Sequence, residues 1–185
     1  MIGSLVREGI EPRSLHDTGV APADAFRAFV EAHLDEAYRL ATHILGVPAD
    51  AEDAVHDAAI AAWRHWPDRR DPARTEAWFR RIVVNACRDR IRANARVRLL
   101  PGGLEVGGGR HPIVADGSQL IHDRDALQRL LARLDVDERV LLTLRYGLDL
   151  TVPAIAAVLG TREGTVKSRL HRALRRARIE LEREP

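Results

Sequence analysis

Apolar residues recur at steps of three and four along most of this chain, the period of helices that bury one face. From Ala23 the series Phe26, Phe29, Val30, Leu34, Ala37, Leu40, Ala41, Ile44 and Leu45 predicts a first helix, ended by Gly46 and Pro48. Asp50 is placed to cap a second helix to about Trp66, with Ala51, Val55, Ala58, Ala62 and Trp66 on its inner face and Pro67 as its stop. Thr75 is placed to cap a long third helix to about Arg96, with Trp78, Phe79, Ile82, Val83 and Ala86 facing inward. The pattern then lapses from Pro101 to Gln119, where Gly102, Gly103, Gly107, Gly108, Gly109, Pro112 and Gly117 give the composition of a flexible linker.

Beyond the lapse the period returns. Helices are expected at about Asp125–Leu134 and Val136–Tyr146, with Leu127, Leu130, Leu131, Leu134, Val140, Leu141 and Leu144 as core. Asp135 and Glu138 have near capping-box spacing, and Gly147 follows the second of these helices. Leu150 to Arg178 then reads as two short helices around a tight turn, the first capped by Thr151. Ile155, Ala156, Leu159, Val166 and Leu170 form their shared core, and Gly160 sits where the turn needs φ > 0. Residues 1–22 have no sustained pattern. The chain thus divides into an extension (1–22), a helical domain (23–99), a linker (100–122) and a second helical domain (123–185).

Composition agrees with an all-α chain: aromatics are 4% of the 185 residues, and β-branched runs are scarce beside Ala, Leu and Arg. The single cysteine, Cys87, excludes an internal disulfide and fits a reducing compartment. No apolar run is long enough for a membrane span, and the N-terminus lacks a signal core, so a cytoplasmic location is expected.

Charge changes the picture only when read by segment, because the net charge is +2. The last helix surrounds its apolar line (Val166, Leu170, Leu174, Ala177) with Lys167, Arg169, Arg172, Arg175, Arg176 and Arg178. A helix-turn-helix with that charge suits the major groove of DNA. The third helix carries a second basic stripe, Arg81, Asn85, Arg88, Asp89, Arg92 and Arg96, with Asp89 the one acid among its arginines from Arg80 to Arg98. Nucleic-acid contact is the better reading of a one-signed face. The search for chemistry ends there: no H-E-x-x-H, paired C-x-x-C, G-x-S-x-G or P-loop is present, so neither catalysis, a metal nor a cofactor is expected.

Three stretches, DAEDAVHDAAIAAWRHW (50–66), WFRRIVVNACRDRIR (78–92) and GTVKSRLHRALRRAR (164–178), resemble the extracytoplasmic-function (ECF) group of bacterial RNA polymerase sigma factors. The resemblance implies a non-catalytic subunit of two helical domains that binds core RNA polymerase and directs it to promoters. It places Asp53, His56, Asp57 and Trp63 against the clamp helices of the polymerase largest subunit. It assigns the −10 element to the helix bearing Arg81, Asn85, Arg88, Asp89 and Arg92, with the loop Arg69–Arg74 holding an extruded base. The −35 element falls to the helix-turn-helix. There Lys167, Ser168, His171 and Arg172 lie opposite the core line as base-edge candidates, His171 the weakest, while Arg169, Arg175 and Arg176 suit phosphates. Trp78 and Phe79 offer stacking surfaces, although their place on the apolar side favours packing.

An anti-sigma partner covering both domains is implied too. His56 replaces the family's usual glutamine, Pro153–Ala154 its acidic pair, and Arg162 its Ser or Thr cap. Three other readings use parts of the same pattern: a regulator that needs only the helix-turn-helix, a sigma-like decoy that binds an anti-sigma protein, and a DNA-processing enzyme.

Overall fold

Seven α-helices and no strand are found among the described residues of the computed structural model, which describes residues 21–67, 71–98 and 118–183. They are α1 (Pro22–Leu45), α2 (Pro48–Arg64), α3 (Thr75–Arg98), α4 (Ser118–Arg133), α5 (Val136–Leu142), α6 (Val152–Leu159) and α7 (Glu163–Glu182). The N-terminal extension as far as residue 20, the linker from residue 99 to 117, and Arg69 and Arg70 of the expected base-holding loop lie outside the described residues. Ser118–His122, expected in the linker, form the first turn and more of α4.

The first three helices pack around an aromatic cluster. Phe26 lies 5.1 Å from both Trp63 and Trp66, and Phe29 meets Phe79 edge-on at 5.5 Å. Leu40, Ile44, Val83 and Cys87 extend this interior and are fully buried. Gly46 ends α1 as expected, at φ 74° with its N–H on the Thr42 carbonyl. Two expected caps move. Pro48, with its preset φ, occupies the first turn of α2, so Val47 is the cap residue and Asp50 lies inside the helix. Thr75 begins α3 behind a 3₁₀ turn (Pro72–Arg74), and the Asp71 carboxylate accepts from Ala73 N–H at 2.9 Å instead.

In the second bundle, the Asp135 and Glu138 capping box forms in full at the start of α5. The helix expected to reach Tyr146 stops being α-helical at Leu142 and widens into a π turn, Thr143–Gly147, closed by Leu148 N–H on Thr143 O at 3.0 Å. Leu127 and Leu174, expected in the core, are 45% and 43% exposed. Three-residue and four-residue spacing defines a face, and both residues sit where that face runs out from under its neighbours.

The two bundles pack against each other, and their buried side chains form one connected core. The contact is built from arginines at helix ends. Arg81 of α3 donates Nε to Val158 O at 2.8 Å and Nη2 to Ala157 O at 2.7 Å, serving the last turn of α6. Arg139 of α5 returns the arrangement, donating Nη1 to Ile44 O at 2.5 Å in the last turn of α1. Terminal carbonyls have no partner within their own helix, and the negative end of the helix dipole favours a cation there.

Inside the first bundle, Arg80 makes a forked pair with Glu36, at 2.6 and 3.0 Å, and reaches Glu76 at 3.2 Å. The hydrogen bond from Arg80 holds the Glu36 carboxyl below the usual glutamate value, against the opposing effect of burial. A lowered folded value means the pair's contribution is present above the ordinary carboxylate range and is lost as pH falls through it. Glu36→Gln is therefore expected to lower the unfolding free energy by about 1–2 kcal/mol near neutral pH. The gap to the parent should close as pH falls below about 4. Thermal melts over a pH series check both.

Candidate nucleic-acid interface

The turn between α6 and α7 forms because Gly160 adopts φ 62° and both its N–H and that of Thr161 return to Ala156 O. Thr151 caps α6 through a 3.4 Å bond from Ala154 N–H, so the family's missing acid leaves a cap in place. At the start of α7, Arg162 is the cap residue without a side-chain bond, while its carbonyl accepts from Thr165 and Val166. Val166, Leu170, Ala173 and Ala177 are buried, which turns Lys167, Ser168, Arg169, His171, Arg172, Arg175 and Arg176 to solvent. Among the described residues no acid pairs with Lys167 or the four arginines of that set. The Ser168 hydroxyl turns back to donate to Thr165 O at 3.0 Å. Gly164 faces open space, with no atom within 4 Å of an added Cβ, so packing does not demand glycine there.

The α3 stripe is different, and the expectation that its arginines face a single acid is overturned. Arg80 lies in the Glu36 and Glu76 pair. Arg90 bridges Asp50, at 2.8 Å, and Asp53, both on α2, while Asn94 holds the second Asp50 oxygen at 3.1 Å. Arg88 pairs with Asp137 of α5 at 2.7 Å, and Arg92 with Asp89 at 2.6 Å. Glu36, Asp50, Asp53 and Asp137 come from other helices, so counting along α3 alone could not find them. Arg81 and Arg88, both expected at the −10 element, are engaged by the second bundle; Asn85, Asp89 and Arg92 are exposed.

On α2, His56 and Asp57 are exposed, whereas Asp53 is tied to Arg90 and Trp63 is half-buried against Phe26. A groove of about 510 Å³ runs between α2 and α3, with Ala58, Ala61 and Ile82 along it and Asp57, Asn85 and Asp89 on its lining. It joins residues that the resemblance assigns to different partners. Neither stripe reveals it by spacing, because it depends on how the two helices cross. Trp78 is partly exposed near Trp66, at 6.4 Å, and Phe79 is buried, so packing is the role of the latter. In the preceding loop, Arg74 pairs with Asp71 at 3.2 Å. No group of three or more His, Cys, Asp or Glu among the described residues could hold a metal ion, and no helix there is long and apolar enough to cross a membrane.

Comparison with known proteins places these helices in context. The model for sigma-70 region 2 matches residues 29–97, and that for sigma-70 region 4 matches residues 124–176. The ECF RNA polymerase sigma factor SigL of Mycobacterium tuberculosis is 33% identical over 168 residues, 89% of this chain and 94% of that protein. SigM of the same organism, another ECF RNA polymerase sigma factor, is 37% identical over 155 residues, 84% of this chain and 75% of that protein. Among solved structures, the sigma factor RpoE of Bartonella quintana, crystallised with the anti-sigma factor NepR, shares the fold with a TM-score of 0.69 at 24% identity, over 88% of this chain and 99% of that one.

Cys87 lies within the first matched region, on α3, and is fully buried. Burial pushes its thiol up to about 12, so near pH 8 the folded chain holds about three orders of magnitude less thiolate than an exposed cysteine would. Thiol-reagent labelling should accordingly be slow in the native chain and rapid in denaturant. Fast native labelling would contradict a packing role.

Proposed function

This chain belongs to the ECF sigma factors of the sigma-70 family, and we propose from that membership how it divides promoter recognition between its two bundles. It binds core RNA polymerase and directs promoter-specific initiation by recognising −10 and −35 elements. RNA synthesis itself is carried out by the polymerase, and this chain contributes no catalytic group. Its place of work is the cytoplasm, where core polymerase acts.

The observation that carries the division is the unpaired basic face of the second helix of a helix-turn-helix, on a chain whose other bundle matches region 2. Lys167, Ser168, His171 and Arg172 face the base edges of the −35 duplex, and Arg169, Arg175 and Arg176 hold its phosphates. Gly164 leaves the start of α7 bare, which suits close approach of the sugar–phosphate backbone. In the first bundle, α3 presents Arg81, Asn85, Arg88, Asp89 and Arg92 to the −10 element. Asn85 carries donor and acceptor together, the equipment for one base edge, and Asp89 holds Arg92 in position. Asp53, His56, Asp57 and Trp63 lie on or near the α2 face that docks on the clamp helices of the largest subunit. A regulator using only the helix-turn-helix would leave that α2 face and α3 without a task. An anti-sigma protein is a partner in the same reading, in keeping with the complex in which the RpoE fold was solved.

Run-off transcription with core polymerase over a promoter library tests the reading. Added protein should select a set of templates with common upstream elements, and Asn85→Ala should impair initiation on them. No change in template use on adding the protein would sink the proposal. Arg172→Ala should cost roughly 1–3 kcal/mol at one position of the upstream element if its contact is bidentate. An equal loss on all upstream sequences would make Arg172 a phosphate contact.

A further inference from the structure

The head of α7 is built against its own stability. Arg162 is the cap residue, exposed, and its side chain makes no capping bond. Its guanidinium has no ion pair or hydrogen bond among the described residues. A cation at the positive end of a helix dipole is unfavourable. Ser, Thr, Asp or Asn is the usual cap because its side chain accepts from first-turn N–H groups. Gly164, in the first turn, disfavours the helix again, since glycine is a poorer helix former than alanine. Neither a left-handed φ nor a close neighbour explains it, for an added Cβ would meet nothing within 4 Å. Both residues weaken the start of α7, and nothing within the fold compensates.

Helical period shows what Arg162 joins. Steps of three and four lead from Arg162 through Thr165, Arg169 and Arg172 to Arg176, along one flank of α7 beside its buried line. Arg169 and Arg176 on that flank are the residues read above as phosphate contacts. Seven residues of helix, about 10 Å, separate Arg162 from Arg169, and the same step separates Arg169 from Arg176. Glu163, the acid of the first turn, lies about 100° round the helix from Arg162 and so stands off the row. We propose that Arg162 is a further DNA contact of this chain: its guanidinium binds a backbone phosphate at the edge of the −35 element and extends the row of Arg169 and Arg176 to the helix head. This inference rests on the reading of α7 as the −35 helix. A recognition helix presents its N-terminal residues to the groove, so the head of α7 is the part nearest the duplex. Bare Gly164 lets that head come close enough for the Arg162 side chain to reach the strand, and a planar fork can engage two phosphate oxygens at once. Such a contact holds every promoter alike, because phosphates carry no sequence.

The test combines thermal melts of the full chain with promoter binding by holoenzyme, assembled from core polymerase and the same chain. The probe is promoter DNA selected by run-off transcription, measured over a salt series. Arg162→Ser should melt about 2–4 °C higher, because its hydroxyl can accept from the N–H of Gly164 or Thr165. The same variant should bind promoter DNA severalfold more weakly, equally on templates that differ in the −35 sequence. Its slope of log affinity against log salt should flatten by about 0.9, the value for one phosphate. Arg162→Lys keeps the charge without the fork and should recover most of the affinity and the slope. Stability and affinity thus move in opposite directions, whereas loss of a merely structural contact lowers both. Unchanged affinity and slope in Arg162→Ser overturn the proposal. A lower melting temperature does so too, by placing Arg162 in a contact within the fold. A loss confined to one base at one −35 position would mark a base contact and is equally fatal. Arg172→Ala and a scrambled −35 element separate this failure from that of the underlying reading. If either weakens binding while Arg162→Ser does not, α7 is still the −35 helix and only Arg162 falls; if none of the three changes binding, both fall.

Discussion

A helix that ends inside a protein leaves carbonyls directed at whatever lies beyond it, and two such ends decide how this chain is assembled. The last turns of α1 and α6 cannot satisfy their own carbonyls. Gly46 and Gly160 turn the chain back and answer one carbonyl each. Three more are met by arginines from the opposite bundle, Arg139 for Ile44 and Arg81 for Ala157 and Val158. A planar fork can serve two adjacent carbonyls at once, where a lysine offers a compact point charge. Arginine is also nearly the only cation here, since Lys167 is the sole lysine. Hydrophobic packing alone would permit several orientations of the two bundles, whereas these directional contacts specify one.

Much of the architecture was legible in the amino-acid pattern. Helical period located the seven helices, Gly46 and Gly160 marked the turns, and Asp135 with Glu138 announced its capping box. Failures occurred where a local signal had a competitor. Asp50 looked like a cap, but Pro48 two residues earlier is the better first-turn residue, and Asp50 binds Arg90 and Asn94 instead. Thr75 lost the same role to a 3₁₀ turn held by Asp71. Leu127 and Leu174 obey the helical period and are still exposed, because period locates a face without saying how far a neighbour covers it.

The candidate site divides along the same line. On α7 the burial of Val166, Leu170, Ala173 and Ala177 forces the opposite residues outward, so a single helix contains the whole argument. On α3 the inward face was legible and the electrostatics were not. Asp50, Asp53, Glu36 and Asp137 neutralise arginines from other helices, and only the tertiary fold brings them near. The groove between α2 and α3, which unites Asp57 with Asn85 and Asp89, has no signature in spacing for the same reason.

The aromatic cluster has an optical consequence. All three tryptophans of the chain, Trp63, Trp66 and Trp78, lie in or beside it, and the second bundle contains only Tyr146 among aromatics. Intrinsic tryptophan fluorescence therefore follows the first bundle and is nearly blind to events confined to α5, α6 and α7. Energy transfer from Tyr146 is the one native optical link between the halves, a signal that depends on their separation and needs no added dye.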